Sequence, residues 1–176
     1  MPVAVVVTEV EPSRTFRLRQ QVLRPHESIE QMSLFDDDDP DTGIFAAVEP
    51  ATGEVVGTGN VRREPPPAAL ATILPAGPGV GQQWRLRGMA TREDLRGQGI
   101  GARILAACTA HVAARGGGLL WCNARLGARV FYGRAGFSEF GPEFDEGQIG
   151  PHVVMWRMVE PAAGAAARAV AEGGDR

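Results

Sequence analysis

The chain has 176 residues, 44% of them hydrophobic and 22% charged, with a formal net charge of −3. That is enough for one domain with a real core, and a mild negative charge gives no reason to expect nucleic acid as a partner. Two cysteines do not make a disulfide framework. No apolar run approaches the ~20 residues that span a bilayer, and the N-terminus lacks a charged region followed by an apolar stretch, so no membrane partner and a cytoplasmic location are expected.

In chain order, Val3 to Thr8 is β-branched and reads as a strand. Glu11-Pro12-Ser13 opens a helix in which Phe16, Leu18, Val22 and Leu23 recur at helical spacing until Pro25 stops it. Residues 26–41 read as irregular or weakly helical. Gly43–Val48 and Glu54–Val61 read as two strands joined at Thr52-Gly53. Glu64–Gly81 holds five prolines and three glycines and reads as a loop, long enough to suggest a functional segment. Gln82–Thr91 returns as a strand. Gly97–Arg115 is the best helix, with Ile100, Ile104, Leu105, Cys108 and Val112 on one face and His111 on the exposed side. Leu119–Asn123 is a short buried strand, Leu126–Arg134 a helix capped by Gly136, and Phe137–Phe140 and His152–Val159 the last strands. Residues 1–160 read as one domain and 161–176 as an Ala/Gly-rich tail.

Charge is unevenly spread. Residues 95–138 carry six arginines and no acid, whereas 27–41 carry Glu27, Glu30, Asp36, Asp37, Asp38, Asp39 and Asp41. The basic stretch is where a polyanion would sit; the acidic one is either a solvated loop or an attractor for an amine. Cys108 and Cys122 fall on apolar faces and read as buried thiols rather than nucleophiles.

The most informative segment is Leu86–Ala102. A strand ends at Thr91, a polar turn follows, and Gly97, Gly99 and Gly101 open a helix. Bare amides at the positive end of a helix dipole make an anion site. A Walker A loop needs a lysine, and all 18 basic residues here are arginine. A dinucleotide fingerprint fits Gly97, Gly99 and Ala102, but it expects a strand running straight into the glycines and an acid roughly 20 residues later. Neither is present, although an arginine such as Arg115 or Arg125 would suit NADP in place of that acid.

Arg96-Gly97-Gln98-Gly99-Ile100-Gly101 matches every position of Arg/Gln-x-x-Gly-x-Gly/Ala, and Asn123 through Tyr132 to Gly136-Phe137 follows in the right order. On these two motifs the chain resembles the GNAT acyl-CoA N-acyltransferase superfamily across roughly residues 3–159. The resemblance implies an α/β fold with a central twisted mixed sheet, a splayed parallel strand pair and flanking helices, with Gly88 at the bulge that begins the splay. It implies acetyl-CoA as co-substrate, no metal, and transfer to a small-molecule amine by direct attack in a ternary complex; the alternative is a non-catalytic acyl-CoA-binding sensor or scaffold. Main-chain groups of Met89, Ala90 and Thr91 would pair with the pantetheine arm. N–H groups from Gly97, Gln98, Gly99, Ile100, Gly101 and Ala102 would hold the pyrophosphate, with Arg96 adding charge and Asn123 bonding the arm. Tyr132, the sole tyrosine, falls where the superfamily places its general acid. The general base stays open between a carboxylate acting through water and a histidine. Arg24, His26 and His152 are candidates for the acceptor side, His26 and His152 also as bases, and edge strands permit a homodimer.

Overall fold

The protein, seen in a computed structural model, is described over residues 3–33, 39–74 and 82–163. Asp36 to Asp38, the end of the Pro-rich segment and the tail from residue 164 lie outside the described residues. Among the described residues there are seven strands: β1 (Val6–Glu9), β2 (Gly43–Val48), β3 (Val55–Arg63), β4 (Gln83–Thr91), β5 (Gly118–Arg125), β6 (Ser138–Asp145) and β7 (Pro151–Val159). The helices are α1 (Ser13–Leu23), α2 (Ala68–Ala71), α3 (Ile100–Ala114) and α4 (Arg129–Arg134), with 3-10 turns at Ile29–Met32, Glu93–Leu95, Leu126–Ala128 and Gly147–Ile149.

The strands hydrogen-bond in the order β1-β2-β3-β4-β5-β7-β6. β4 and β5 run parallel, with Gln83, Trp84 and Arg85 opposite Leu119, Leu120 and Trp121. The helix α3 is the crossover that a parallel pair requires. The expected mixed α/β sheet is therefore present.

The chain folds as two compact units, Met1–Arg62 with Leu86–Cys108, and Arg63–Arg85 with Thr109–Arg176. In the first, Ile44, Ala46, Ala47 and Val56 of the β2–β3 hairpin are buried, as are Leu18 of α1 and Ile100, Ile104, Leu105 and Cys108 of α3. Gly88 has φ +61, and its absent Cβ would lie 3.3 Å from Asn60 Nδ2 and 3.5 Å from Arg19 Nε. Gly88 is thus the left-handed residue of β4, and Trp84, Leu86 and Ala90 on either side of it keep to one buried face.

In the second unit β5 is buried along almost its whole length, as a strand covered on both faces is. It pairs with β7 from Gly118–Val159 to Arg125–His152. Three expectations are corrected here. His111 is buried, because it lies seven residues from Ile104 and three from Cys108 on the same helical face; it meets Trp84 edge-on at 6.0 Å and Arg115 NH1 at 3.2 Å from Nδ1. Strand β6 runs on through Pro142 to Asp145, because it is a sheet edge with a register shift between Phe140 and Phe144, where a proline costs no ladder bond. The Pro-rich segment contains α2, whose Leu70 is fully buried against Leu119, Trp121 and Val154.

Candidate active site

In the first unit the site is built by the chain leaving β4. Arg92 N–H donates to the Val56 carbonyl (2.9 Å), Leu95 N–H to Arg92 (3.0 Å) and Arg96 N–H to Glu93 (3.2 Å). Leu95 is buried and anchors this turn. Gly97 and Gly99 then both take φ +79, where an L side chain is strained, and nothing lies within 4 Å of either missing Cβ. The first bond of α3 runs from Arg103 N–H to the Gly99 carbonyl (3.2 Å). The N–H groups of Ile100, Gly101 and Ala102 therefore have no carbonyl one turn back. No acid stands in that first turn. Amide donors, a helix dipole and the arginines around them give a site suited to phosphate oxygens.

Side chains around the loop are partly committed. Gln98 Oε1 accepts from Val3 N–H (3.0 Å), which leaves Gln98 its main chain for a ligand. Exposed Arg96 reaches back to the Thr91 carbonyl through Nε at 3.4 Å. The Met89 sulfur occupies the space beside Gly59 that a Cβ there would need, so its side chain packs inward. Ala90 is buried and Thr91 half-buried. At the end of α1, Arg24 NH1 lies 2.7 Å and His26 Nε2 3.7 Å from the same Glu27 oxygen. These two acceptor candidates thus share one carboxylate.

In the second unit Tyr132 sits on the six-residue α4. Gly136 at φ +83 ends that helix: Gly136 N–H donates to Gly133 (3.0 Å) and Phe137 N–H to Tyr132 (3.1 Å). This is a Schellman closure with its hydrophobic contact between Tyr132 and Phe137. The buried Tyr132 ring meets Phe131 at 5.0 Å and Phe137 at 5.4 Å, both edge-on. Burial pushes the Cys108 thiol up strongly and the Cys122 thiol up to about 12, so neither supplies a thiolate at neutral pH.

Asn123 and His152, far apart in the sequence, are brought together by a residue that no motif singles out. Asn123 Nδ2 donates to Glu146 Oε1 (2.8 Å), and His152 Nε2 lies 3.7 Å from Glu146 Oε2. Glu146 carries no local signal; only the β5–β7 register and the turn at Gly147–Ile149 bring these three side chains to one place.

A profile described as the acetyltransferase (GNAT) family matches residues 12–137. An uncharacterized N-acetyltransferase of Bacillus subtilis (strain 168), YitI, is 32% identical over 153 residues, covering 87% of this chain and 95% of its own. A phosphinothricin acetyltransferase from Sinorhizobium meliloti, solved with acetyl-CoA, is 15% identical with a TM-score of 0.64 and 89% of each chain covered. An aminoglycoside 6'-N-acetyltransferase solved with coenzyme A is 14% identical with a TM-score of 0.63, covering 90% of this chain and 99% of the other. At those identities the two structures share the fold. Among the described residues no helix is long and apolar enough to cross a membrane.

Proposed function

The chain belongs to the acetyltransferase (GNAT) family, and from that premise we propose that it transfers an acetyl group from acetyl-CoA to a small-molecule amine in a ternary complex. The family supports acyl transfer from acyl-CoA to an amine; the acetyl donor, the direct attack and the residue roles are our reading. The observation that carries it is the loop of Gly97 and Gly99 at φ +79, open above and followed by N–H groups without helical partners.

In this reading the N–H groups from Gly97 to Ala102 take the pyrophosphate, with Arg96 adding charge. Main-chain groups of Met89, Ala90 and Thr91 align the pantetheine arm, and an N–H there draws charge from the thioester carbonyl as the tetrahedral carbon forms. Asn123 spends an N–H on Glu146 and offers its carbonyl oxygen to the arm. The Tyr132 phenol, protonated at neutral pH when unperturbed, supplies a proton to the leaving thiolate. Residues 1–160 act as the catalytic part, in the cytoplasm.

The deciding experiment is thermal unfolding with acetyl-CoA, coenzyme A or NADP in separate samples. A ligand at a hundred times its dissociation constant adds about 2.7 kcal/mol, worth about 5–10 °C for a chain of this size. We expect a rise with acetyl-CoA and coenzyme A only. A rise with NADP alone, or with none, refutes the reading.

A further inference from the structure

We infer that Glu146 and His152 form the seat of the acceptor's amine, and that His152 Nε2 is the base that takes its proton. The chemistry of this step rests on the acyl-transfer reading; the geometry does not.

The argument starts with the tautomer. His152 Nδ1 is 2.7 Å from the Gly150 carbonyl, which only accepts, so Nδ1 carries the hydrogen. In the neutral ring, Nε2 is then the basic nitrogen. It lies 3.7 Å from Glu146 Oε2, beyond hydrogen-bond length. The other carboxylate oxygen already accepts from Asn123 at 2.8 Å. Oε2 and Nε2 are therefore two neighbouring acceptors that one group carrying two hydrogens can bridge.

An ammonium group can do this. Standing about 2.8 Å from each atom, it gives one N–H to the carboxylate and another to the imidazole. An alcohol has a single O–H, a quaternary ammonium has no N–H, and water, which has two O–H groups, brings no charge to answer the Glu146 carboxylate, so the pair favours the ammonium of a primary or secondary amine. Exposure agrees with this order of events: the Glu146 side chain is 32% exposed and can meet a ligand, while His152 behind it is 4% exposed. The imidazole is held in place by the Gly150 bond and by Phe144, stacked at 6.0 Å. Among the described residues, Arg125 is the cross-strand partner of His152 on β5, and Asp145, next to Glu146, accepts from Gly147 N–H.

The protons balance. A primary ammonium gives one to Nε2, forming an imidazolium beside the Glu146 carboxylate. The freed amine attacks the thioester carbonyl; the C–N bond forms and the C–S bond breaks, its electron pair leaving on sulfur. The second N–H proton ends on that sulfur by way of Tyr132, and the imidazolium releases its proton to water.

The test is an NMR titration of the full chain, with ¹⁵N-labelled histidine, using ethylammonium chloride as probe and tetramethylammonium chloride as control. Ethylammonium should move the His152 Nε2 resonance saturably and tetramethylammonium should not. Glu146→Gln should weaken the response about tenfold or more, as expected for losing a charged acceptor. If that variant does not fold, His152→Asn, which keeps a donor for Gly150, serves instead, read at the Glu146 carboxyl carbon; the ethylammonium response there should weaken likewise. Equal responses to both cations, no response to ethylammonium, or a response unaffected by the substitution overturns the proposal. Repeating the titration with coenzyme A separates the two readings. Failure to bind coenzyme A with the ethylammonium response intact removes the acyl-transfer reading alone; the opposite result removes the amine seat alone.

Discussion

Tyr132 and Phe137 are joined twice. Phe137 N–H donates to the Tyr132 carbonyl at 3.1 Å, and their rings meet edge-on at 5.4 Å. The helix closure that ends α4 thus also seats the Tyr132 ring against Phe137, so packing falls to the ring and, in our reading, proton transfer to the hydroxyl.

Tyr132→Phe separates them. The ring contacts remain and the hydroxyl goes, so acetyl-CoA affinity should change little while turnover falls about a hundredfold or more, the usual contribution of a general acid. Steady-state kinetics across pH, beside a coenzyme A titration, reads both quantities. Unchanged turnover takes Tyr132 out of the mechanism.

Gly99→Asp puts a carboxylate where the open loop faces its ligand. We expect coenzyme A to lose its effect on the unfolding temperature. The variant itself should lose only about 1–2 kcal/mol for a side chain at positive φ, since nothing lies within 4 Å of the added Cβ. A normal shift with coenzyme A means that the loop is only a turn.

The buried thiols give a pH dependence of defined sign. An unfolded cysteine titrates near 8.5, whereas burial holds Cys122 up to about 12 and moves Cys108 the same way. Above about pH 8.5 the unfolded chain holds fewer protons than the native one, so stability is full below that pH and falls as it rises toward the native values. Urea midpoints at pH 8 and pH 10.5 should show the decline, and Cys122→Ala should reduce it. A thiol reagent should label neither cysteine in the native protein at pH 8.

Leu70→Ala tests whether α2 pins the Pro-rich segment. Leu70 is fully buried against Leu119, Trp121 and Val154, so its truncation should cost about 2–5 kcal/mol. Denaturation followed by circular dichroism measures this. A loss below about 1 kcal/mol shows that the segment does not depend on that anchor.

What is legible in the sequence depends on how local the signal is. The glycine loop and the buried face of α3 are written in short spacings, and both are present. His111 is misplaced when its polarity is weighed above its position relative to Ile104 and Cys108. The second half of β6 is hidden because Gly141-Pro142 reads as a breaker unless the strand is known to be an edge. Glu146 has no signal at all: its partners lie 23 residues before it and six after it, and only strand register makes them neighbours.

Trp84, Trp121 and Trp156, the chain's three tryptophans, and its single tyrosine all fall in the unit formed by Arg63–Arg85 and Thr109–Arg176. The strong intrinsic emitters therefore all belong to that unit, and the unit carrying the glycine loop has none of its own. A melt followed by emission has no reporter in the glycine loop itself, the segment that would hold the pyrophosphate. If the emission and far-ultraviolet transitions separate, the two units lose their structure at different temperatures, and a reporter placed in α3 is needed to follow the first.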